Sequence, residues 1–362
     1  MNYAVIAPIC REMQDPRVSF FFTASEKPAA AKTIYREIGD SARIISPSRA
    51  GLMKFDAYLV ADLLWVTLPR GTQRIQMFHG VAGKYSSVYD TPDQSMRDWD
   101  RLWFINRRRM ENYIRAGAID ADSAAARLVG YPKLDCLVDG SLSRDAVLSE
   151  IGIDSARRTV LYAPTWSPYS SLNLMGEELV KGLVAAGYAV IVKLHDRSRD
   201  PEYRHSGGID WQARLDPILQ DGGGWLADGS DACPYLVAAD LMITDHSSVG
   251  FEYLLLDRPV IRIEVSELIS KTDINPVYVK LLREASTTVR NVSETIAAVE
   301  KCLGDADALS ESRRAVAKEL FYEPGTATAR AVRELYDVIE LDPPDATVHA
   351  ARILIKDVIS NG

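Results

Sequence analysis

Five side chains able to hydrogen-bond stand in a row at Thr244-Asp245-His246-Ser247-Ser248, after the apolar run 241–243 and before an amphipathic stretch over 249–256. That order predicts a buried strand, a polar elbow and a helix. At such an elbow, N–H groups of the first helical turn and the hydroxyls of Thr244, Ser247 and Ser248 can converge on an anion, most simply a phosphate. A lone serine there more commonly caps the helix, but the polar neighbours tip the reading towards a ligand. Glu252, expected in the first turn, would repel a phosphate, so a ribose hydroxyl suits it better.

Three further places carry the same kind of chemistry. The run "VIVKLHDRS" (190–198) ends a strand with Lys193 and His195, which share one side of an extended chain and suit a diphosphate. The run "RIQMFHGVAGKY" (74–85) puts His79 and Gly80 at another strand end, followed by Gly83 and Lys84. There glycine allows close backbone approach, and a histidine titrates where a general base must. The run "LYAPTWSPYSS" (161–171) offers Thr165 and Trp166 between two prolines, with Trp166 able to stack on a base or wall a pocket. The Asp120-Ala121-Asp122 and Asp305-Ala306-Asp307 triplets sit in polar connections where aspartate is a common turn residue, so no metal site is expected. Arg107-Arg108-Arg109 reads as the solvated start of a helix.

The elements that must position these residues alternate. Strands are predicted over 3–8, 42–47, 57–62, 74–80 and 102–106, and a second series over 158–164, 189–195, 224–228, 241–245, 260–264 and 287–290, with helical patterns between. Apolar strands separated by helices imply parallel sheets covered on both faces, and two series imply two doubly wound α/β domains. The boundaries fall at 1–145 and 146–325, with a helical tail over 326–362 expected to pack across the domains. Ligands of such sheets bind beyond the carboxyl ends of the strands, where the residues above lie.

Bulk composition narrows the partners. With 362 residues, 47% of them apolar, the chain can build two cores. A net charge of −8 argues against nucleic acid as a partner. Four cysteines without a CxxC pair fit a reducing compartment, and the start of the chain shows no leader. The longest apolar run, 57–68, is too short to span a bilayer. A cytoplasmic protein is expected, with any membrane contact peripheral.

Taken together, the ordered motifs resemble the CDP-glycerol glycerophosphotransferase family, the teichoic-acid primases and polymerases of the TagB and TagF kind. They are His79-Gly80 with Lys84, "GYPKLD" (130–135), "YAPTW" (162–166), Lys193-Leu194-His195, Thr244-Asp245-His246-Ser247-Ser248, "FEYLLLDRPVI" (251–261) and "EPGTATAR" ending in Arg330. Asp196 stands where the family has proline, and His246 where it has tyrosine. The resemblance implies a GT-B fold, two Rossmann-like domains facing across a cleft. It implies transfer of glycerol phosphate, or a related polyol phosphate, from a CDP-activated donor to a hydroxyl of a glycan or lipid-linked acceptor, with release of CMP. On this reading His79 and His195 are catalytic. Lys193, Thr165, Trp166, Thr244, Asp245, Ser247, Ser248, Glu252 and Arg330 hold the nucleotide and phosphates, and Gly80 and Lys84 lie on the acceptor side. No cofactor beyond the substrate nucleotide is expected, and work at the inner face of the cell membrane is. The long membrane-binding regions of the polymerases have no counterpart, so addition of one unit or a few is expected. A GT-B glycosyltransferase or epimerase using a UDP- or CMP-sugar is the alternative.

Overall fold

A computed structural model of the chain describes residues 2–23, 43–61, 67–78, 80–81, 94–272 and 274–344. These fall into two compact units, one drawn from Met1–His79, Pro92–Asp135 and Phe321–Gly362, the other from Gly80–Thr91 and Cys136–Leu320.

In the first unit, β1 (Phe21–Phe22) and β2 (Arg43–Ile44) form a parallel pair. A separate parallel sheet runs in sequence order through β3 (Ala57–Val60), β4 (Gln73–Met77), β5 (Arg101–Phe104) and β6 (Ala126–Leu128). Asn106 caps the helix Arg107–Arg115 after β5, accepting from the Arg109 N–H at 2.8 Å. The strand expected over 3–8 is instead part of a helix, Asn2–Glu12. Val5 and Ile6 look β-branched and extended, but Val5, Ile9 and Met13 recur every four residues and are buried, which marks one helical face.

That helix packs on the last described one, Ala327–Val338, whose Tyr336 hydroxyl donates to Asp15 Oδ2 at 3.0 Å. The tail therefore closes the first unit. Buried Asp135 accepts N–H groups from Gly325 (2.7 Å), Ala327 (3.2 Å) and Thr328 (2.7 Å), serving the amides that a helix start leaves without partners. Burial outweighs these donors and raises its pKa.

The second unit holds a six-stranded parallel sheet built from β7 (Thr159–Tyr162), β8 (Ala189–Val192), β9 (Trp225–Leu226), β10 (Leu241–Thr244), β11 (Val260–Ile263) and β12 (Thr287–Val289). Their order in space is β12-β11-β10-β7-β8-β9. Every residue of β7, β8, β10 and β11 is buried, as continuous apolar runs require when helices cover both faces. Val160, Val190, Val192, Ile243 and Ile261 pack with Leu179 and Leu183 of helix Ser171–Ala185 and Leu215 and Leu219 of helix Trp211–Gly222. The chain leaves β7 towards β8 and β9, then returns to the other side of β7 as β10. The order therefore reverses between β7 and β10, where an open sheet gathers its ligand.

Candidate functional site

The carboxyl ends of β7 and β10 bring three predicted groups together. Thr244, the last residue of β10, donates its hydroxyl to the Ala163 carbonyl at 2.7 Å. Asp245 is wholly buried, and its Oδ1 accepts from the Thr165 N–H at 2.8 Å and the His246 N–H at 2.7 Å. Its Oδ2 accepts from the Ser171 N–H at 3.0 Å and the Ser171 hydroxyl at 2.9 Å. The Ser171 oxygen in turn lies 2.9 Å from the Tyr162 hydroxyl, whose pKa is pushed well up by burial and by the Asp245 charge. Asp245 thus straps loop 165–171 to the elbow, which fixes where Thr165 and Trp166 stand.

Ser247 and Ser248 are half-buried, at the start of helix Ser248–Tyr253. Ser247 occupies the capping position, yet its side chain makes no capping bond. The helix has six residues before it tightens into the 3-10 turn Leu254–Leu256, so side-chain donors matter more here than the helix dipole. Glu252 lies beyond the first turn where the sequence had placed it, and only 2% of it is exposed. Gly80 belongs to the same unit. Its φ of +79° suits glycine, and a Cβ there would stand 3.8 Å from Ser248 Oγ, so the Gly80 backbone lies beside the elbow. His79 and Lys84 lie outside the described residues.

Beyond β8, Lys193 and His195 take separate tasks. The buried Lys193 ammonium donates to the carbonyls of Leu194 (3.1 Å) and Gly229 (2.7 Å). His195 Nδ1 accepts from the Arg197 N–H at 3.1 Å, so the neutral ring carries its proton on Nε2. Its ring is 6.0 Å from Trp166, and the Arg197 guanidinium covers the Trp166 ring at 4.3 Å. The edge of His205 meets Trp166 at 5.8 Å. Asp200, Glu202 and His205 are the one group of three among the described residues that could hold an ion. Asp200 lies 3.0 Å from His205 Nδ1, and its pKa is lowered by the Glu202 N–H and then by that contact. Glu202 pairs with Arg204.

Arg330 stands with the ties of the first unit. Its donors go to the carbonyls of Val129, Tyr322 and Glu323 and to the side chains of Glu323 and Thr326. Burial lowers its pKa, and Tyr322 packs on it at 4.9 Å. Arg109 is buried over the Phe78 ring at 4.1 Å. Asp120 pairs with Arg97, and Asp305 ends helix Val292–Gly304.

One charged group escaped the sequence reading. Arg262, on β11 beside Thr244, is fully buried and lies 3.3 Å from His246 Nε2, with Thr288 Oγ1 at 2.9 Å and Glu264 Oε2 at 3.3 Å. It is the lone positive charge in "VIRIE", a strand expected to be covered on both faces, and that was the signal that could have found it.

Two units, each built on a parallel sheet and the second with a polar elbow at its switch point, place the chain in the GT-B class. The chain belongs to the CDP-glycerol:poly(glycerophosphate) glycerophosphotransferase family, whose pattern fits residues 2–337. It is 25% identical over 223 residues to a teichoic acid poly(glycerol phosphate) polymerase of Bacillus spizizenii, an overlap of 55% of this chain and 53% of that protein. To a teichoic acid glycerol-phosphate primase of the same species it is 28% identical over 137 residues, 36% of this chain and 32% of that one. The chain spans about half the length, or less, of the curated relatives it matches. A solved structure of the wall teichoic acid polymerase TagF shares the fold with a TM-score of 0.69 at 16% identity, over 94% of this chain and 87% of that one. No helix among the described residues is long and apolar enough to cross a membrane.

Proposed function

We propose that the protein transfers glycerol phosphate, or a related polyol phosphate, from a CDP-activated donor to a hydroxyl of a glycan or lipid-linked acceptor. The observation that carries this reading is the Ser247-Ser248 pair. It starts a helix at the switch point of the second sheet, beside the Gly80 backbone, and Ser247 is not spent on capping. Membership of the family supplies the donor class.

The acceptor oxygen attacks the glycerol-side phosphorus and forms the new P–O bond. The bond from that phosphorus to the oxygen of CMP breaks, and CMP leaves with the electron pair. His79 takes the hydroxyl proton. The serine hydroxyls and the Nε2–H of His195 offset charge on the diphosphate, Trp166 walls the nucleotide, and Lys193 fixes the loops after β8 and β9. Glu252 holds the ribose. Such transfer works by positioning and electrostatics, without a covalent protein intermediate. A lipid-linked acceptor would bring the chain to the inner face of the membrane.

Titration calorimetry with CDP-glycerol, CDP-ribitol, CDP, UDP-GlcNAc and a CMP-sugar tests the donor class. CDP compounds should bind selectively, and His195→Ala and Ser247→Ala should each weaken them. His79→Ala should keep nucleotide affinity and lose transfer. Selective binding of UDP-GlcNAc or the CMP-sugar would move the chain to the glycosyltransferase or epimerase reading.

A further inference from the structure

The ammonium that the sequence offered to a diphosphate is engaged elsewhere. Lys193 donates to the carbonyls of Leu194 and Gly229, so it braces two loops. The elbow contributes hydroxyls and His195 a neutral ring, none of which carries charge. A nucleoside-diphosphate ester brings one negative charge on each phosphate. A cation beside these groups would hold it far more firmly than neutral donors alone.

Three arginines lie on the segment after β8. Arg199 donates to Gln212 Oε1 at 2.8 Å and to the Ala227 carbonyl, and it faces Asp228 at 3.5 Å. Arg204 is held by Glu202 at 2.6 Å. Arg197 differs. It is exposed, and among the described residues its guanidinium meets no carboxylate and donates no hydrogen bond.

What holds this guanidinium is the Trp166 ring, 4.3 Å away. A guanidinium lying over a ring engages its face and keeps its N–H edge, the edge that takes two phosphate oxygens at once. The backbone beneath is fixed as well. In the 3-10 turn Asp196–Arg199, the Arg197 N–H donates to His195 Nδ1 at 3.1 Å, so one bond sets the His195 tautomer and anchors Arg197. Trp166 in turn follows Thr165, whose N–H is tied to Asp245 of the elbow at 2.8 Å. Guanidinium, imidazole and elbow therefore share one support, although Arg197 is the exposed end of it.

We propose that Arg197, held over Trp166, is the cation that grips the diphosphate of the donor beside His195, and that it selects nucleoside-diphosphate donors over nucleoside-monophosphate ones. The inference rests on the phosphotransferase reading above. It gives Arg197 the charge that the sequence had sought in Lys193, and it sets a CDP-activated donor apart from a CMP-activated one, which presents a single phosphate.

The test uses the full chain and its Arg197→Gln and Arg197→Lys forms, which alter an exposed side chain and keep the backbone N–H on His195. Each is titrated calorimetrically with CDP, CMP and inorganic pyrophosphate. Arg197→Gln should weaken CDP and pyrophosphate about tenfold and CMP by no more than about twofold. Arg197→Lys, a point charge without the fork, should recover part of that loss. The KM for CDP-glycerol should rise about tenfold in Arg197→Gln. Unchanged affinity for CDP and pyrophosphate overturns the grip, and so does an equal loss for CMP and CDP, which would place Arg197 at the nucleoside end. If the unsubstituted protein prefers UDP-GlcNAc to CDP-glycerol, while Arg197→Gln still weakens UDP and pyrophosphate about tenfold, the phosphotransferase reading fails and the diphosphate grip stands.

Discussion

Replacing Asp245 by asparagine measures how firmly the strap beneath the elbow is tied. The carboxylate serves four donors, two on each oxygen. An asparagine that keeps Oδ1 still serves Thr165 and His246 but turns an NH2 towards Ser171. The Ser171 hydroxyl can then accept from that NH2 and donate to Tyr162, 2.9 Å away. The Ser171 N–H is left without a partner, and the Tyr162 O–H, which had donated to Ser171, loses its acceptor, so two buried donors are orphaned at a cost of about 1–3 kcal/mol each. The bonds to Thr165 and His246 lose their charge assistance as well, so the whole change should be about 3–6 kcal/mol. That is survivable within the roughly 5–15 kcal/mol of a typical domain, whereas alanine would orphan every donor at once. Urea unfolding should show a lower midpoint at an unchanged slope. Ser171→Ala belongs to the same network, so the double variant should depart from additivity by about 1 kcal/mol. Stability of Asp245→Asn within about 0.5 kcal/mol of the unsubstituted protein, or simple addition of the two changes, would refute the strap.

Gly130→Ala should cost about 2–5 kcal/mol by urea unfolding, since φ is +91° and a Cβ would sit 2.7 Å from the Tyr322 carbonyl oxygen and 2.9 Å from Ala327 Cβ. Gly152→Ala has φ +72° but open space, so about 1–2 kcal/mol is expected. The raised pKa of Asp135 means that the folded state holds its proton more tightly than the unfolded chain, whose aspartates titrate near ~3.9. Its contribution is therefore full below that value and is lost as pH rises through the folded pKa. Melting temperatures from pH 4 to 7 should fall less steeply in Asp135→Asn, and an identical slope would contradict the assignment. Burial pushes the Cys10 thiol up to about 12, so a thiol reagent at neutral pH should label half-buried Cys136 and Cys302 first, and Cys10 and Cys233 only on unfolding.

What the sequence made legible follows physical rules. Most of the second sheet could be read strand by strand because β7, β8, β10 and β11 are covered on both faces and are apolar but for Thr159, Thr244 and Arg262. Its switch point could not be read, because strand order is a tertiary fact. In the first unit, Ala126–Leu128 was missed because three residues with one large apolar side chain carry no period. Asn2–Glu12 was misread because a short apolar run fits a strand as well as a helix. The elbow was visible because five polar groups after a buried strand need a cause. The uses of Asp245 and Arg330 were not, because a carboxylate or guanidinium that ties distant backbone looks, in sequence, the same as one that meets a ligand.

The polar residues of the elbow divide by depth, and the division explains why so many are needed. Thr244, Asp245 and His246 are buried and point their bonding into the protein, to the end of β7, to loop 165–171 and to Arg262. Ser247 and Ser248 come next and are half-exposed. A phosphoryl-transfer site gains most from donors that need not move as charge shifts from the attacked phosphorus to the leaving group. Two flexible hydroxyls on a six-residue helix would make a poor cradle by themselves. Fastened from below by three buried side chains, they keep one position, and the ordering cost is met when the chain folds and not when the substrate binds. Variants of the inner residues should therefore register first in stability, and variants of the two serines first in affinity.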